Sequence, residues 1–416
     1  MKTISRFRRD TKGGVALMFA LAAVPVFLAA GMAVDFARAF DIRTRVQVAI
    51  DAGALAASAS RTLSDAARKE LALEVFGQNF GVERMRELGV DPSVNIVDGS
   101  VSMSASLNYP TAFMQLAGID TMDLGASVEV AIPGRRKAEV ALVLDYSESM
   151  TEVAGGKVKY IAMREAASKL VDDLTEKGTN DDVKFGLVPF SHHVYATLPG
   201  EYVVGQKAGK SWTGCTQDRK YPYNQTDATP KSKDDDTKWG QPQAPDHIKY
   251  GCSPYAPNKL VVKPISTDVA GVKKQLQDMK PYMYTHISLG FEFGWHLLSP
   301  NAPFGGVAPY GDDDVVKVLV LLTDGRQTEP GFGAGGKRNV ASAEKNLSAL
   351  CENAKGKGVK VITVAFDLQD KPTRDRLQGC ASDPDKDFFV ADDNKDLAQA
   401  FESIKGVLAE AIHISR

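Results

Sequence analysis

Twenty-two consecutive residues without a charge, Gly13 to Val34, lie between Lys12 and Asp35 near the start of this 416-residue chain. They are mostly Ala, Leu, Val, Phe and Met. A bilayer's hydrocarbon core is about 30 Å thick and takes about 20 helical residues to cross, so the run is long enough to span it. Pro25 in its middle is tolerated in a membrane helix. Lys2, Arg6, Arg8, Arg9 and Lys12 precede the run against a single Asp10. Basic flanks stay in the cytoplasm, so the rest of the chain is expected outside it, behind a single pass. A cleaved signal peptide is the competing reading, with Ala29-Ala30-Gly31 as small residues for cleavage. Against it, the run exceeds the roughly 7–15-residue apolar core of a signal, and Ala-rich sequence continues as helix beyond it.

The remainder reads as globular. Hydrophobic residues make up 44% and charged residues 25%, which excludes a disordered or fibrous chain. The length suits about two or three units. A mean hydropathy of -0.19 leaves room for one span but not several. Lys+Arg is 50 against Asp+Glu 52, and no basic stripe is interleaved with aromatics, so no nucleic-acid partner is expected. Four cysteines fit an oxidising compartment. They allow three connectivities; the local pairs Cys215–Cys252 and Cys351–Cys380 are the expected ones. Zinc is the rival use, and the absence of a C-x-x-C pair speaks against it.

Three stretches divide the chain. Residues 1–59 hold the basic N-terminus, the span at 13–34 and an Ala-rich helix from Ala37 to about Ala57. Residues 60–133 read as a small α+β unit. Ser64 is a good N-cap for the helical AARKELALEVFGQNF, and Asp98-Gly99 between two alternating runs signals a hairpin. Thr111 to Gly118 suggests a short helix and Ser127–Ile132 a closing strand. Pro133 to Lys137 reads as a linker. From 137 to 412 the pattern changes to α/β. The apolar runs EVALVLD, VKFGLVPF, VVKVLVLLTD and KVITVAF, with the shorter DFFVA, alternate with amphipathic helices. Runs apolar on both faces are the mark of a parallel sheet covered by helices on each side. Residues 196–262 are polar, rich in Pro, Tyr, Asp and Lys, and without a clear period; they read as an insertion.

In an open parallel sheet, ligands sit at the carboxyl ends of the strands. Three pieces are expected there: Asp145-Tyr146-Ser147-Glu148-Ser149, the loop Thr285-His286-Ile287-Ser288-Leu289-Gly290, and Thr323-Asp324-Gly325. They supply carboxylates and hydroxyls, hard oxygen donors that suit Mg²⁺, with Mn²⁺ or Ca²⁺ as substitutes. D-x-S-x-S at a buried strand end, a Thr loop and an Asp-Gly strand end, in that order, resemble the metal-ion-dependent adhesion site of von Willebrand factor A domains. The resemblance covers about residues 137–412. It implies the family's Rossmann-like α/β fold. It also implies a cation touched by Ser147, Ser149 and Thr285, with Asp145 and Asp324 acting mostly through water, and a protein partner whose carboxylate completes the coordination. Tyr284 stands where that family often has Gly before the Thr.

The N-terminal segment has its own resemblance. RFRRDTKGGVALMFALAAVPVFLAAGMAVDFARA, followed by an Ala-rich helix, is similar to the TadE/TadG-type segment of tight-adherence (Flp) pilus assembly proteins, as are residues 110–132. A span followed by an A domain is the TadG-like arrangement. It implies a single-pass protein of the bacterial inner membrane, with a pilin-like helix and a periplasmic head, serving pilus assembly or adhesion. Asp35 either has a role like the carboxylate that orients pilin packing or marks the end of the apolar run. No G-x-S-x-G elbow and no G-x-x-x-x-G-K-[ST] loop occurs, so a binding protein is expected rather than an enzyme, the alternative being a periplasmic metal-dependent hydrolase. Gly209-Lys210-Ser211, His192-His193 and the acidic runs 234–236 and 312–314 read as loop residues. His286 and His296 read as packing or surface residues, and Trp212 and Trp239 as residues that could meet a partner.

Overall fold

The computed structural model describes residues 14–60, 63–97, 99–132, 136–175, 183–242 and 251–413. The basic residues up to Lys12, the Asp98 of the hairpin and the Pro133-Gly134-Arg135 of the linker lie outside them. The chain divides into two compact units, Met1–Gly134 and Arg135–Arg416.

The first unit is built on one unbroken helix, α1 (Gly14–Ala59), 46 residues long. Between residues 16 and 30 nearly every side chain faces outward. Further along, Ala39, Ile42, Val46, Ala49, Ile50, Ala54 and Ala57 are buried. Their spacing of three and four puts them on one stripe. α2 (Asp65–Phe80) packs against that stripe through Ala72, Phe76 and Phe80, with Ser64 Oγ accepting the Ala67 N–H at 3.3 Å as its cap. The approach is close: a Cβ on Gly53 would lie 2.6 Å from the Ala72 carbonyl oxygen. A short α3 (Val82–Leu88) leads into the antiparallel sheet β1 (Asp91–Val97), β2 (Ser100–Pro110) and β3 (Thr121–Ala131). Alternate residues Val101, Met103, Ala105 and Leu107 of β2 close the core. The closing strand is longer than the expected Ser127–Ile132, because β3 pairs with β2 from Thr121 onward. The expected helix at Thr111–Gly118 reduces to one 3₁₀ turn, Met114–Ala117.

The second unit holds, in chain order, β4 (Lys137–Asp145), α4 (Lys159–Thr175), β5 (Val183–Phe190), β6 (Val194–Pro199), β7 (Ser211–Thr216), β8 (Lys263–Ser266), α5 (Val269–Asp278), α6 (Ile287–Leu298), β9 (Val315–Thr323), α7 (Val340–Gly356), β10 (Lys360–Phe366), α8 (Lys371–Cys380), β11 (Phe388–Ala391) and α9 (Asn394–His413). The central sheet runs β8-β5-β4-β9-β10-β11, parallel except for the antiparallel edge strand β8. β4 feeds two cores at once. Val140, Leu142 and Leu144 meet α4, α5 and α9, while Ala141 and Val143 meet α6, α7 and α8. This double burial is why the strand carries no polar alternation.

The stretch expected as a featureless insertion contributes structure of its own. β6 and β7 form a hairpin, and Trp239 is fully buried against Phe293. Arg219 reaches under it to pair with Glu292 of α6 at 2.6 Å, both side chains out of solvent. Burial keeps Trp239 from meeting a partner, contrary to the sequence-based expectation; Trp212 stays half-exposed. α8 was not anticipated, although Asp370 is an N-cap with Pro372 just inside the helix, and its carboxylate accepts the Thr373 N–H at 3.0 Å. Both local disulfides form, Cys215–Cys252 and Cys351–Cys380, joining residues 37 and 29 apart. Loops of that length are worth about 3–4 kcal/mol each in the chain-entropy picture.

Candidate metal centre

β4 and β9 are hydrogen-bonded neighbours with Leu144 opposite Leu322, so the residues that follow, Asp145 and Thr323, emerge side by side at the carboxyl end of the sheet. Asp145 is fully buried. One oxygen, Oδ1, accepts the Ser147 N–H at 2.8 Å and tightens the turn; the other, Oδ2, accepts the Thr323 hydroxyl at 2.5 Å. The turn brings the Ser147 and Ser149 hydroxyls to 3.0 Å of each other, and Ser149 donates to Asp324 Oδ1 at 2.7 Å. Thr285 arrives from the loop before α6. Its N–H donates to Thr328 Oγ1 at 2.9 Å, and its carbonyl accepts the N–H groups of Thr328 and Glu329 at 3.0 and 3.1 Å. Gly325 marks where the pieces meet: a Cβ there would lie 3.4 Å from Thr285 Oγ1 and 3.7 Å from Ser149 Oγ. All five residues singled out in the sequence therefore converge.

Charge at the site is unbalanced. Burial, and then the neighbouring Asp324 carboxylate, push the Asp145 pKa up against the hydrogen bonds from Thr323 and Ser147. Burial raises Asp324 as well, opposed by Ser149 and Lys159. Lys159, the first residue of α4, is buried and lies 3.1 Å from Asp324, 3.0 Å from Asp367 and 3.1 Å from Glu152. Burial works against its charge, but Asp324 and the other two carboxylates outweigh it and hold it protonated. One ammonium thus serves three carboxylates, of which Asp324 is buried, while the buried Asp145 stands beside Asp324. A divalent cation would relieve that excess. The donors are three hydroxyls and two carboxylates, the hard oxygen set Mg²⁺ takes, with Ser149 Oγ 3.0 Å from Ser147 Oγ and, like Thr285 Oγ1, within 3.7 Å of the Cβ position of Gly325; the residues fit the ion. Among the described residues no cluster of three or more His, Cys, Asp or Glu is placed to hold a metal.

The sequence did not single out Lys159 or Thr328, and it placed Thr323 at the site without giving it a role. Thr323 was legible in principle, as the residue before Asp324 on a strand next to β4. Nothing marked Lys159, which lies 165 residues from the carboxylate it pairs with. His192 and His193 do sit after β5, but they are buried rather than solvated, their ring centroids 4.2 Å apart and packed on Tyr255. His286 and His296 are buried as packing residues. Gly209-Lys210-Ser211 is exposed, and the acidic runs are exposed or half-exposed.

Comparison with known proteins agrees with this architecture. Residues 13–67 match the model of putative Flp pilus-assembly TadE/G-like proteins, and residues 272–403 match the von Willebrand factor type A domain. The second match takes in Thr285 and Asp324. The Arg135–Arg416 unit has the von Willebrand factor A fold, its central sheet mixed by the one antiparallel edge. No curated protein matches the chain. Among solved structures, the pilus adhesin SpaC from Lactobacillus rhamnosus GG is similar at 12% identity and a TM-score of 0.41, over 78% of this chain and 34% of that one. The chain thus spans about a third of that adhesin's length. The vWF domain of the type V pili tip protein Mfa5 from Porphyromonas gingivalis is similar at 13% identity and a TM-score of 0.41, over 68% of this chain and 98% of that one. The adhesive tip pilin GBS104 from Group B Streptococcus agalactiae is similar at 11% identity and a TM-score of 0.40, over 66% of this chain and 100% of that one.

Proposed function

We propose that this chain, with a TadE/G-like segment and a von Willebrand factor type A domain in one polypeptide, is a membrane-anchored binding protein acting outside the cytoplasm in Flp pilus assembly or surface adhesion. α1 crosses the inner membrane through its apolar first half, with the N-terminus cytoplasmic. The rest of the chain is periplasmic. Ser147, Ser149 and Thr285 hold Mg²⁺ directly, and Asp145 and Asp324 support it. A cation held by so few charged groups supplies an electrophilic position for a carboxylate on a protein partner. Asp145 fixes the turn through Ser147 and Thr323, Thr328 fixes the Thr285 loop, and Lys159 pairs with Asp324 and competes with the ion for its charge.

The observation that carries the reading is the convergence of three hydroxyls from two separate loops beside two buried, undercompensated carboxylates. The role is binding rather than catalysis, since the site residues are engaged in holding each other and offer no activated nucleophile. Complementation of pilus formation or adhesion by Asp145→Ala tests it. The variant should fold, fail to bind Mg²⁺ and fail to complement. A folded, metal-free variant that complements fully would make the metal irrelevant. Protease added to spheroplasts should digest the chain beyond about residue 35, and full protection of the A domain would overturn the topology.

A further inference from the structure

α1 and the loop after β2 are clamped together at one level. Asp35 is buried, and its Oδ2 accepts the N–H groups of Phe113 at 2.6 Å, Met114 at 2.8 Å and Ala112 at 3.1 Å. One turn earlier, Gly31 faces Phe113 so closely that a Cβ on the glycine would lie 2.6 Å from the Phe113 Cβ. The loop is therefore held against the last turn of the uncharged run.

What the loop then presents is apolar. Ala112 to Ile119 contains no charge. Phe113, Leu116 and Ile119 are 42%, 72% and 42% exposed. On the helix, Phe27 lies one turn below Gly31 on the same face and is exposed, as is Val34 three residues above Gly31. The loop backbone is suited to a place with little water. Beside the three N–H groups on Asp35, Leu116 donates to Phe113, Gly118 to Gln115 and Ile119 to Met114, at 3.0–3.1 Å. Backbone groups satisfied within the protein are what a low-water zone demands. The height agrees. At 1.5 Å per residue Gly31 stands about 26 Å along the helix from its first residue, Gly14, close to the far edge of a hydrocarbon core of about 30 Å.

We propose that the Ala112–Ile119 loop is seated in the outer interface of the same bilayer that α1 crosses, with Phe113, Leu116 and Ile119 among the lipid headgroups and upper acyl chains. The proposal rests on the reading that α1 spans the membrane. Its occupant is lipid because the patch is held against the span, whose own exterior is apolar. The loop is a second foothold beside the span, and Asp35 is the residue that holds it there.

The test uses the full chain in vesicles of phosphatidylethanolamine and phosphatidylglycerol. A polarity-sensitive dye is attached in turn to Leu116→Cys, to Phe19→Cys in the span and to Ser104→Cys on the exposed sheet face. Lipids carrying a nitroxide near the headgroup should quench the dye at 116, and lipids with a deep nitroxide the dye at 19. Neither should quench the dye at 104. Quenching at 19 without quenching at 116 would overturn the loop's seat and leave the span intact. No quenching at either would overturn the span and the proposal with it. A dye at 116 shielded from aqueous iodide yet untouched by lipid nitroxides would mean protein covers the patch, which also defeats the proposal.

Discussion

Asp35 and Asp145 are both buried carboxylates that end an apolar run, one a helix and one a strand, and they serve opposite ends. Asp35 takes three backbone N–H groups from the loop at 112–114. Asp145 takes one backbone N–H and one hydroxyl, and then meets a second buried carboxylate, Asp324, whose ammonium partner Lys159 is shared with Glu152 and Asp367. A buried carboxylate surrounded by donors is a structural clamp. A buried carboxylate beside another is a demand for positive charge from elsewhere.

The sharpest way to break that contrast is Asp145→Ala. Without the residue that shapes the turn and supplies charge, Mg²⁺ affinity measured by calorimetry should fall by about 100-fold, a loss of about 2.7 kcal/mol. Ser147→Ala, which keeps both carboxylates, should cost about tenfold. Equal losses would mean that charge at Asp145 contributes nothing.

Proton linkage gives a second, smaller effect. The Asp145 pKa is raised, from 3.8 up to about 7, so the metal-free fold prefers the protonated acid. Its contribution to stability is complete below the ordinary value and is lost as pH rises through the folded one. Mg²⁺ needs the ionised form, so its stabilising effect runs the other way. At saturating Mg²⁺ the unfolding temperature should rise by about 5–10 °C at pH 8 and by less than half of that at pH 5. A rise independent of pH would detach the metal from these carboxylates.

Lys159→Met comes next. It frees Asp324 from its tethered cation, so Mg²⁺ should bind about tenfold tighter while the metal-free protein loses stability. Weaker binding would show that Lys159 acts by orienting Asp324 rather than by competing with the ion. The mildest change is Asp35→Asn. An acceptor remains and the charge is lost, at a cost of about 1 kcal/mol, seen as several-fold faster hydrogen exchange at Ala112, Phe113 and Met114 with Mg²⁺ binding unchanged.

The residues that were legible in the sequence share a physical cause. EVALVLD and VVKVLVLLTD announce themselves because a strand covered on both faces has no room for polar alternation, and their terminal carboxylates then stand out. Ser64 was readable as a cap because its role is local. Illegible were contacts set by tertiary placement. Lys159 looks like any charge at a helix start until the fold brings Asp324 and Asp367 to it. β8 is a four-residue polar edge containing Pro264, with no period to detect. The β6–β7 hairpin sits in a polar stretch whose order comes from a disulfide and from Arg219 reaching Glu292. His192 and His193 read only as loop residues because nothing in the sequence shows Tyr255 arriving over them.

The unbroken course of α1 carries one more consequence. At 1.5 Å per residue its 46 residues make a rod about 70 Å long, whose lower part is the outward-facing apolar run and whose upper part is the spine of the small α+β unit. Pro25 lacks the N–H for a helical hydrogen bond and is where the rod can bend, but from Gly31 upward the packed unit turns together with its stem. A sideways tug on it is a torque on the apolar run, and, with that run in a bilayer as proposed, a neighbour that grips it there sets the compass bearing of the small α+β unit.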